Sequence, residues 1–402
     1  MQTPNKDLRG GSPVWADRTR NNVRHRSRLD RETCDVAVVG AGISGALIAL
    51  ELAERGHDVV MLDRRPPCRG STFASTAMIQ FELDTTLSEL ADKIGPRRAE
   101  RAYRRSFRAV QELGELITRY GIASAWKERD ALYLAGNVDG WRALHSEARY
   151  RAKIGLPSTF LDRDTLRLTY GIERTGAVLS AGAAEVNPVH LAAECLRRAQ
   201  RLGARIYAPH EVQHVTSHAQ GVELETTEGA AISAHRVVFA TGYEVVSGLP
   251  RDRFEIISTW AIATQPLPRE AFWPGRCLIW EASDPYLYLR TTSDNRILAG
   301  GEDSRLNDEK RRDAAIPNKA AALLAKLDAL LPGRNLKIDY AWSGAFADSP
   351  TGLPYFAELD DKPNCFVVLG CGGNGITFSV IAANVVSAWA EGKSDPDADL
   401  FT

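Results

Sequence analysis

Cys34-Asp35-Val36-Ala37-Val38-Val39-Gly40-Ala41-Gly42-Ile43-Ser44-Gly45 decides how this chain folds. An apolar, β-branched run that ends on a G-x-G-x-x-G turn reads as a strand, Cys34 to Val39, feeding a helix that starts near Ile43. That helix buries Leu47, Ile48 and Leu52, and it stops at Gly56, which suits a left-handed cap. Each glycine of the turn has its own task. Gly40 permits the tight strand-to-helix turn, Gly42 lets the backbone approach a pyrophosphate, and Gly45 lets the helix lie close on the strand. The helix N-terminus, here Ile43, Ser44 and Gly45, offers unpaired N–H donors and partial positive charge to phosphate. About twenty residues on, a second strand, Asp58 to Leu62, ends on Asp63, a carboxylate placed to accept hydrogen bonds from a ribose diol. Strand, capped helix and acidic strand end agree, so the motif reads as a dinucleotide clamp and the chain as a cofactor enzyme.

Size and composition bound the rest. A chain of 402 residues is long for one ordinary domain, so two are expected. Its 44% hydrophobic and 25% charged content are those of a globular protein. A net charge of −1 gives no reason to expect nucleic acid or an anionic membrane as partner, and no apolar run is long enough to span a bilayer. Cys34, Cys68, Cys195, Cys277, Cys365 and Cys371 form no C-x-x-C pair and have no histidine at metal-ligand spacing, so no metal is expected. Free thiols packed as small apolar groups suit a reducing, cytoplasmic setting. Residues 1–33 differ: arginine-rich and poor in apolar side chains, they read as an extension draped over the surface without a packed element, anchored by Val14 and Trp15. The stretch lacks the apolar core of a secretory signal, and Asp7, Asp17, Asp30 and Glu32 argue against a transit peptide.

After Asp63 comes the turn Arg64-Arg65-Pro66-Pro67 and then Gly70-Ser71-Thr72-Phe73-Ala74-Ser75-Thr76-Ala77, a second loop whose hydroxyls and amides suit a pyrophosphate. Residues 87–120 and 139–154 read as amphipathic helices with arginine on a solvated face. A helix from Pro188 to Leu202 closes on Gly203 and feeds strand Arg205 to Ala208, continuing the α/β pattern. Strand Val237-Val238-Phe239-Ala240 exits sharply at Thr241-Gly242, the kind of C-terminal strand end where doubly wound folds hold ligands. Segment 254–305 is strand-rich and broken by Pro, Asp and Asn turns, which predicts an antiparallel sheet. A helix from about Pro317 to Leu331 follows. Finally Phe366-Val367-Val368-Leu369 enters Gly370-Cys371-Gly372-Gly373-Asn374-Gly375, and a helix from Ile376 to Trp389 gives a second glycine nest on a helix N-terminus.

Gly40 to Gly45 with Asp63, the Gly70 to Ala77 loop, Ala240-Thr241-Gly242, Tyr288 with Gly300-Gly301, Gly352-Leu353-Pro354 and Gly372-Gly373-Asn374-Gly375-Ile376 together resemble the FAD-dependent oxidoreductases of the D-amino-acid oxidase and glycine oxidase superfamily, over residues 34–402. The resemblance implies an α/β Rossmann-like FAD-binding domain assembled from discontinuous segments, 34–92, 156–248 and 342–402, and an antiparallel-sheet substrate domain from 93–155 and 249–341. By the same analogy Arg64, Gly70, Ser71, Thr72, Ser75, Thr76, Ala77 and Met78 line pyrophosphate and ring. The Val212 backbone meets the adenine, and Gly372 to Thr377 approach the flavin. Two departures stand out. Amino-acid oxidases of this kind carry an arginine just ahead of Gly352-Leu353-Pro354, where this chain has Phe346, and glycine oxidases often carry another where it has Gly373. The cysteine near Gly344 that attaches flavin in some relatives is also absent, so non-covalent FAD is expected.

In this class the protein supplies orientation and exclusion of water more than acids and bases. The expected substrate pocket draws on Gln80, Trp280, Tyr286, Tyr288, Arg290, Trp342, Phe346 and Asn374. Arg290, two residues from Tyr288 and so on its face of a strand, is the expected anion anchor. Trp280, Trp342 and Phe346 suit a cationic amine, and no catalytic histidine is expected. The leading expectation is oxidation of a C–N bond in an amine or modified amino acid, with oxygen or another acceptor taking the electrons. Oxidation of a 2-hydroxy acid, or a flavin-binding protein without turnover, are the alternatives.

Overall fold

In strand Arg31–Val39, Val36 and Val38 face one hydrophobic cluster while Ala37 and Val39 face another. A strand apolar on both faces belongs in the middle of a covered parallel sheet. The computed structural model, which describes residues 7–16, 23–244, 250, 253–306 and 308–402, places it there. The eight-stranded nucleotide sheet runs in the order Tyr355–Leu359, Lys362–Leu369, Ala231–Phe239, Arg31–Val39, Val59–Leu62, Arg205–Tyr207. Its central pairings are all parallel. Helix Ile43–Glu54 packs against helices Pro188–Arg201 and Gly375–Ala390 on one face. The hairpin Val212–His218 and Gly221–Thr226 extends the sheet from Ala231–Phe239, and its Val212, Val222 and Leu224 belong to the cluster on the other face.

The second sheet has ten strands, and all its pairings are antiparallel except Leu278–Glu281 with Lys127–Leu134. Its membership cuts across the expected domain bounds. Strands Met78–Ile79, Ser158–Asp162, Gly176–Glu185 and most of Ile338–Asp348 were expected in the FAD-binding domain, yet they pair into this sheet. Helix Pro96–Tyr120, expected with the substrate domain, packs on Gly375–Ala390 beside the nucleotide sheet. The expected junction at 248/249 lies outside the described residues. Local chemistry explains the mismatch: a strand's own residues report that it pairs, while its partner is chosen by shape and burial far away in sequence.

The helical stretch expected over 87–120 is two helices, Leu87–Ile94 and Pro96–Tyr120, broken where Gly95 takes φ 84 ahead of Pro96. Not all of its arginines are solvated. Arg105 is 3% exposed and ion-paired to Glu112 and Asp395, and Arg101 binds Asp397 and Asp399, so the helix clamps the C-terminal segment. None of the six cysteines is in a disulfide.

The N-terminal segment is more ordered than its composition suggested. Arg9–Gly11 adds an edge strand to Ile338–Asp348, and beyond it Val14 and Trp15 are buried. The Trp15 indole donates to the carbonyl of Ser75 at 2.8 Å. A strap three residues wide gains a full ladder of backbone bonds from the sheet edge, which removes the need for an apolar core of its own. Trp15→Ala is expected to destabilise the protein by about 3 kcal/mol, measured as a fall in melting temperature that is larger for the FAD-loaded protein than for the stripped one, because the indole braces the Ser75 loop.

Candidate active site

The glycine turn is set by hard contacts. A Cβ on Gly45 would lie 1.9 Å from the Gly40 carbonyl oxygen, and one on Gly40, which has φ 115, would lie 2.3 Å from the Ala240 oxygen. Helix Ile43–Glu54 therefore begins directly over the ends of strands Arg31–Val39 and Ala231–Phe239. Its cap residue, Gly42, contributes no side chain, which leaves the first N–H groups facing outward. Ile43 N–H is bound by the Thr72 hydroxyl at 2.9 Å, which draws the second hydroxyl loop across the first turn.

Between these loops a cleft opens with about 2040 Å³ of empty space, its mouth included. At one end lie Gly40, Gly42, Ile43, Ser44, Asp63, Arg64, Val212, Ala240, Thr241 and Gly242. Asp63 accepts from the N–H groups of Ala41 at 2.7 Å and Arg65 at 2.8 Å. Burial pushes its carboxyl pKa up, and those two backbone donors pull it back down. Arg64 is held by Glu211 and Glu244, and Arg65 also binds Glu244. Gly70, Ser71, Thr72, Ser75, Thr76, Ala77 and Met78 line the middle of the cleft. The Ser71 and Thr241 hydroxyls are buried with no hydrogen-bond partner among the described residues. Orphaned hydroxyls beside an uncapped helix N-terminus suit a polyoxygenated anionic ligand, so the residues present fit a dinucleotide.

Where the second sheet closes the cleft, the lining is Gln80, Glu82, Asp84, Thr259, Trp280, Tyr286, Tyr288, Phe346, Gly372, Gly373 and Asn374, among others. Gly300 is required here because a Cβ on it would meet the Tyr288 hydroxyl at 2.2 Å. Asn374 and Thr377 brace the second nest: Asn374 Nδ2 donates to the Glu82 carbonyl at 2.8 Å and Thr377 Oγ1 to the Gln80 carbonyl at 2.9 Å. Gly375 and Ile376 also line the cleft, while Thr377 and Gly45 support it from behind.

Three expectations change. Arg290 does not line the cleft. Its Nε donates to the Thr76 carbonyl at 2.6 Å, a terminal nitrogen donates to the Val186 carbonyl at 2.9 Å, and Glu185 lies 3.8 Å away. A guanidinium engaged in this way cross-links the Thr76 loop to the second sheet and cannot grip a substrate anion. Trp342 is likewise off the cleft, 1% exposed, its indole donating to the Ala74 carbonyl at 2.9 Å. Trp280 does line it, stacked on Tyr133 at 3.8 Å. Third, the cleft holds acids that sequence reasoning missed. Asp84 is exposed on the wall of the cleft; the protein packed around it, together with Asp348, pushes its carboxyl pKa up, opposed by a hydrogen bond from Gly373 N–H. A Cβ on Gly373 would lie 2.6 Å from Asp84 Oδ2, so a side chain at the position where glycine oxidases often carry arginine would have to displace the Asp84 carboxylate. Among the described lining residues at this end there is no lysine, arginine or histidine. Glu82 and Asp84 follow Phe81 in a stretch that carries no motif, so only their placement marks them.

A strand, glycine turn and helix opening on unsatisfied hydroxyls, with an acid at the next strand's end, define a dinucleotide-cofactor enzyme. The model of the DAO family, FAD dependent oxidoreductase, matches residues 35–389, and the chain belongs to that family, with FAD as its cofactor. It is 27% identical over 380 residues to the glycine oxidase of Geobacillus kaustophilus (strain HTA426), spanning 89% of this chain and 93% of that one. It is 26% identical over 376 residues to the gamma-glutamylputrescine oxidoreductase of Escherichia coli (strain K12), spanning 90% and 85%. Among solved structures, glycine oxidase from Geobacillus kaustophilus has the same fold, with TM-score 0.76 at 24% identity over 91% of this chain and 96% of that one. L-proline dehydrogenase from P. horikoshii gives 0.77 at 19% identity over 92% and 96%. No helix among the described residues is long and apolar enough to cross a membrane.

Asp63→Ala is expected to weaken FAD binding about 10- to 100-fold, the worth of a charge-assisted hydrogen bond, and Gly45→Val to yield protein without flavin. Fluorescence titration of the stripped protein with FAD measures both.

Proposed function

We propose that this oxidoreductase oxidises the C–N bond of a cationic amine to an imine that water then hydrolyses, and that the substrate needs no carboxylate. The observation that carries this reading is Asp84, a carboxylate exposed to the cleft at an end that no cation among the described residues lines. The surrounding protein disfavours the charged form of this carboxyl, and an ammonium ligand beside it favours that form in return. The carboxylate of an ordinary amino acid would instead meet like charge, which is discrimination by repulsion. The names of two relatives, a gamma-glutamylputrescine oxidoreductase and a glycine oxidase, support amine chemistry in general.

Bound FAD would supply the two-electron acceptor for the hydride leaving the substrate carbon, while the ammonium loses its two excess N–H protons to water as the C=N bond forms. The chain's own part is positional. Ser71, Thr72, Thr241 and the Ser44 N–H would hold the pyrophosphate, and Asp63 the ribose. Gln80, Trp280, Tyr286, Tyr288 and Phe346 wall the substrate end and exclude water, which strengthens the pull of Asp84 on a cation. FAD is held without a covalent bond on this reading. Cys371 lines the cleft, but burial pushes its thiol up to about 12, so it stays protonated and poorly nucleophilic at neutral pH.

Acid precipitation is expected to release all the flavin into the supernatant. In an anaerobic screen the flavin should bleach with primary or secondary amines and not with glycine or lactate; bleaching by hydroxy acids alone would overturn the proposal. Asp84→Asn should raise KM for the reactive amine about 10- to 100-fold with little change in bound FAD. In the unmodified enzyme KM should rise on acidification, since a carboxyl with a raised pKa loses its charge sooner than usual as pH falls.

A further inference from the structure

Behind the tyrosines of the cleft, strand Ile297–Ser304 is bulged. Against strand Glu255–Thr264, Gly301 pairs with Trp260, but the next recorded pair is Ser304 with Ser258, three steps on one strand against two on the other. The extra residue is accommodated by Glu302, a non-glycine at φ 60 whose carboxylate is tied to Lys319 and Lys326. Bulges of this kind re-aim a side chain, and a strained backbone that the surroundings hold in place is found most often at functional sites.

The side chain re-aimed here is Asp303. It is absent from the cleft lining, yet its Oδ2 accepts from the Tyr286 hydroxyl at 2.8 Å, beside the Thr259 hydroxyl, which donates to the Gly301 carbonyl at 3.5 Å. Tyr288 in turn hydrogen-bonds to Thr259 and to Thr76. All four of these hydroxyl residues line the cleft. Asp303 Oδ1 is buried with no partner among the described residues. Asp303 is thus the acceptor behind a hydroxyl network that faces the substrate.

A hydroxyl has one proton to donate and two lone pairs. Whatever takes the proton decides what the oxygen offers elsewhere. We propose that Asp303 is a positioning residue: by accepting the Tyr286 proton it turns the lone pairs of that hydroxyl toward the cleft, where they receive the N–H groups of an ammonium substrate. The inference rests on the amine reading above and adds to it the residue that orients the acceptor.

The switch point lies in an accessible range. Burial, with a smaller push from Asp84, raises the Asp303 carboxyl to about 6, against the neighbouring Thr259 hydroxyl, the hydrogen bond from Tyr286 and the charge of Lys319. Tyr286 and Tyr288 themselves are raised by burial and stay protonated. The charge of Glu302 is engaged by its two lysines. Above about 6 the carboxylate accepts and the Tyr286 hydroxyl presents its lone pairs. Below it the acid donates, and the network loses an acceptor for the cation.

The test uses FAD-loaded enzyme under anaerobic conditions with 1,4-diaminobutane as probe, read by perturbation or bleaching of the flavin band. The apparent affinity should fall roughly tenfold per pH unit below about 6, one proton being linked to binding. Asp303→Asn should raise the apparent Kd about tenfold at pH 8 and abolish the break near 6. Tyr286→Phe should abolish the same break, and Asp303→Glu should restore it in part. Bound flavin and melting temperature serve as folding controls. With Asp84→Asn in every background so that this carboxyl no longer titrates, a break that persists in Asp303→Asn, or a Tyr286→Phe variant with the original profile, overturns the proposal. Hydroxyl orientation is also read without any amine, from the ultraviolet resonance Raman difference between the enzyme and Tyr286→Phe. The tyrosine doublet should move from donor to acceptor character as pH falls through about 6. An unshifted doublet overturns the Asp303 assignment alone. A shifted doublet with no response to the diamine at any pH overturns the amine reading and with it the acceptor role.

Discussion

The contact of helix Ile43–Glu54 with the Gly40 carbonyl leaves no room for a single carbon atom at Gly45. From that contact follows the direction of the helix, and from the direction follows where its unpaired N–H groups point. The phosphate end of the cleft, the placement of Thr72 across the first turn and the approach of the second hydroxyl loop are consequences. Helix Gly375–Ala390 is tied to the same helix through the Ser44 and Ser379 hydroxyls, 2.7 Å apart, so two helix N-termini open on one cleft. One steric constraint thus organises both dipole ends.

Buried charge does the rest of the arranging. Glu244, 7% exposed, holds Arg64 and Arg65, and Arg151, fully enclosed, sits between Glu147 and Glu82. Arg290 is engaged by backbone carbonyls. In each case a guanidinium that would otherwise attract anions has its charge or its donors engaged within the protein, and breaking such a set leaves an uncompensated ion. What remains facing the substrate end is acidic and aromatic. The electrostatic character of the pocket is therefore a matter of which charges are already engaged, more than of which charges the chain contains.

The N-terminal strap shows how composition misleads. Few apolar residues argued for an extension without a packed element, anchored by Val14 and Trp15; those anchors are buried as expected, while the three-residue edge strand is what composition did not announce, and Leu8 reaches the cleft. Arg290 teaches the same lesson inside the protein. Its position two residues from Tyr288 was read as a shared face toward substrate, whereas Tyr288 lines the cleft and the Arg290 head turns to the Thr76 and Val186 carbonyls. Strand spacing gives a face; it does not say which layer covers that face.

Local chemistry in the chain determined the nucleotide half. Glycines whose geometry excludes a side chain, an acid at a strand end and the periodicity of the flanking helix act over a few residues, so they are legible without any fold. Phe346 and Gly373, standing where arginines are familiar, were also readable. Only the tertiary structure decided that Ser158–Asp162 and Gly176–Glu185 join the second sheet, that Asp84 occupies the space beside Gly373, and that a bulge at Glu302 brings Asp303 to Tyr286. Those outcomes depend on contacts between residues far apart in the chain, where burial and register, not local propensity, select the partner.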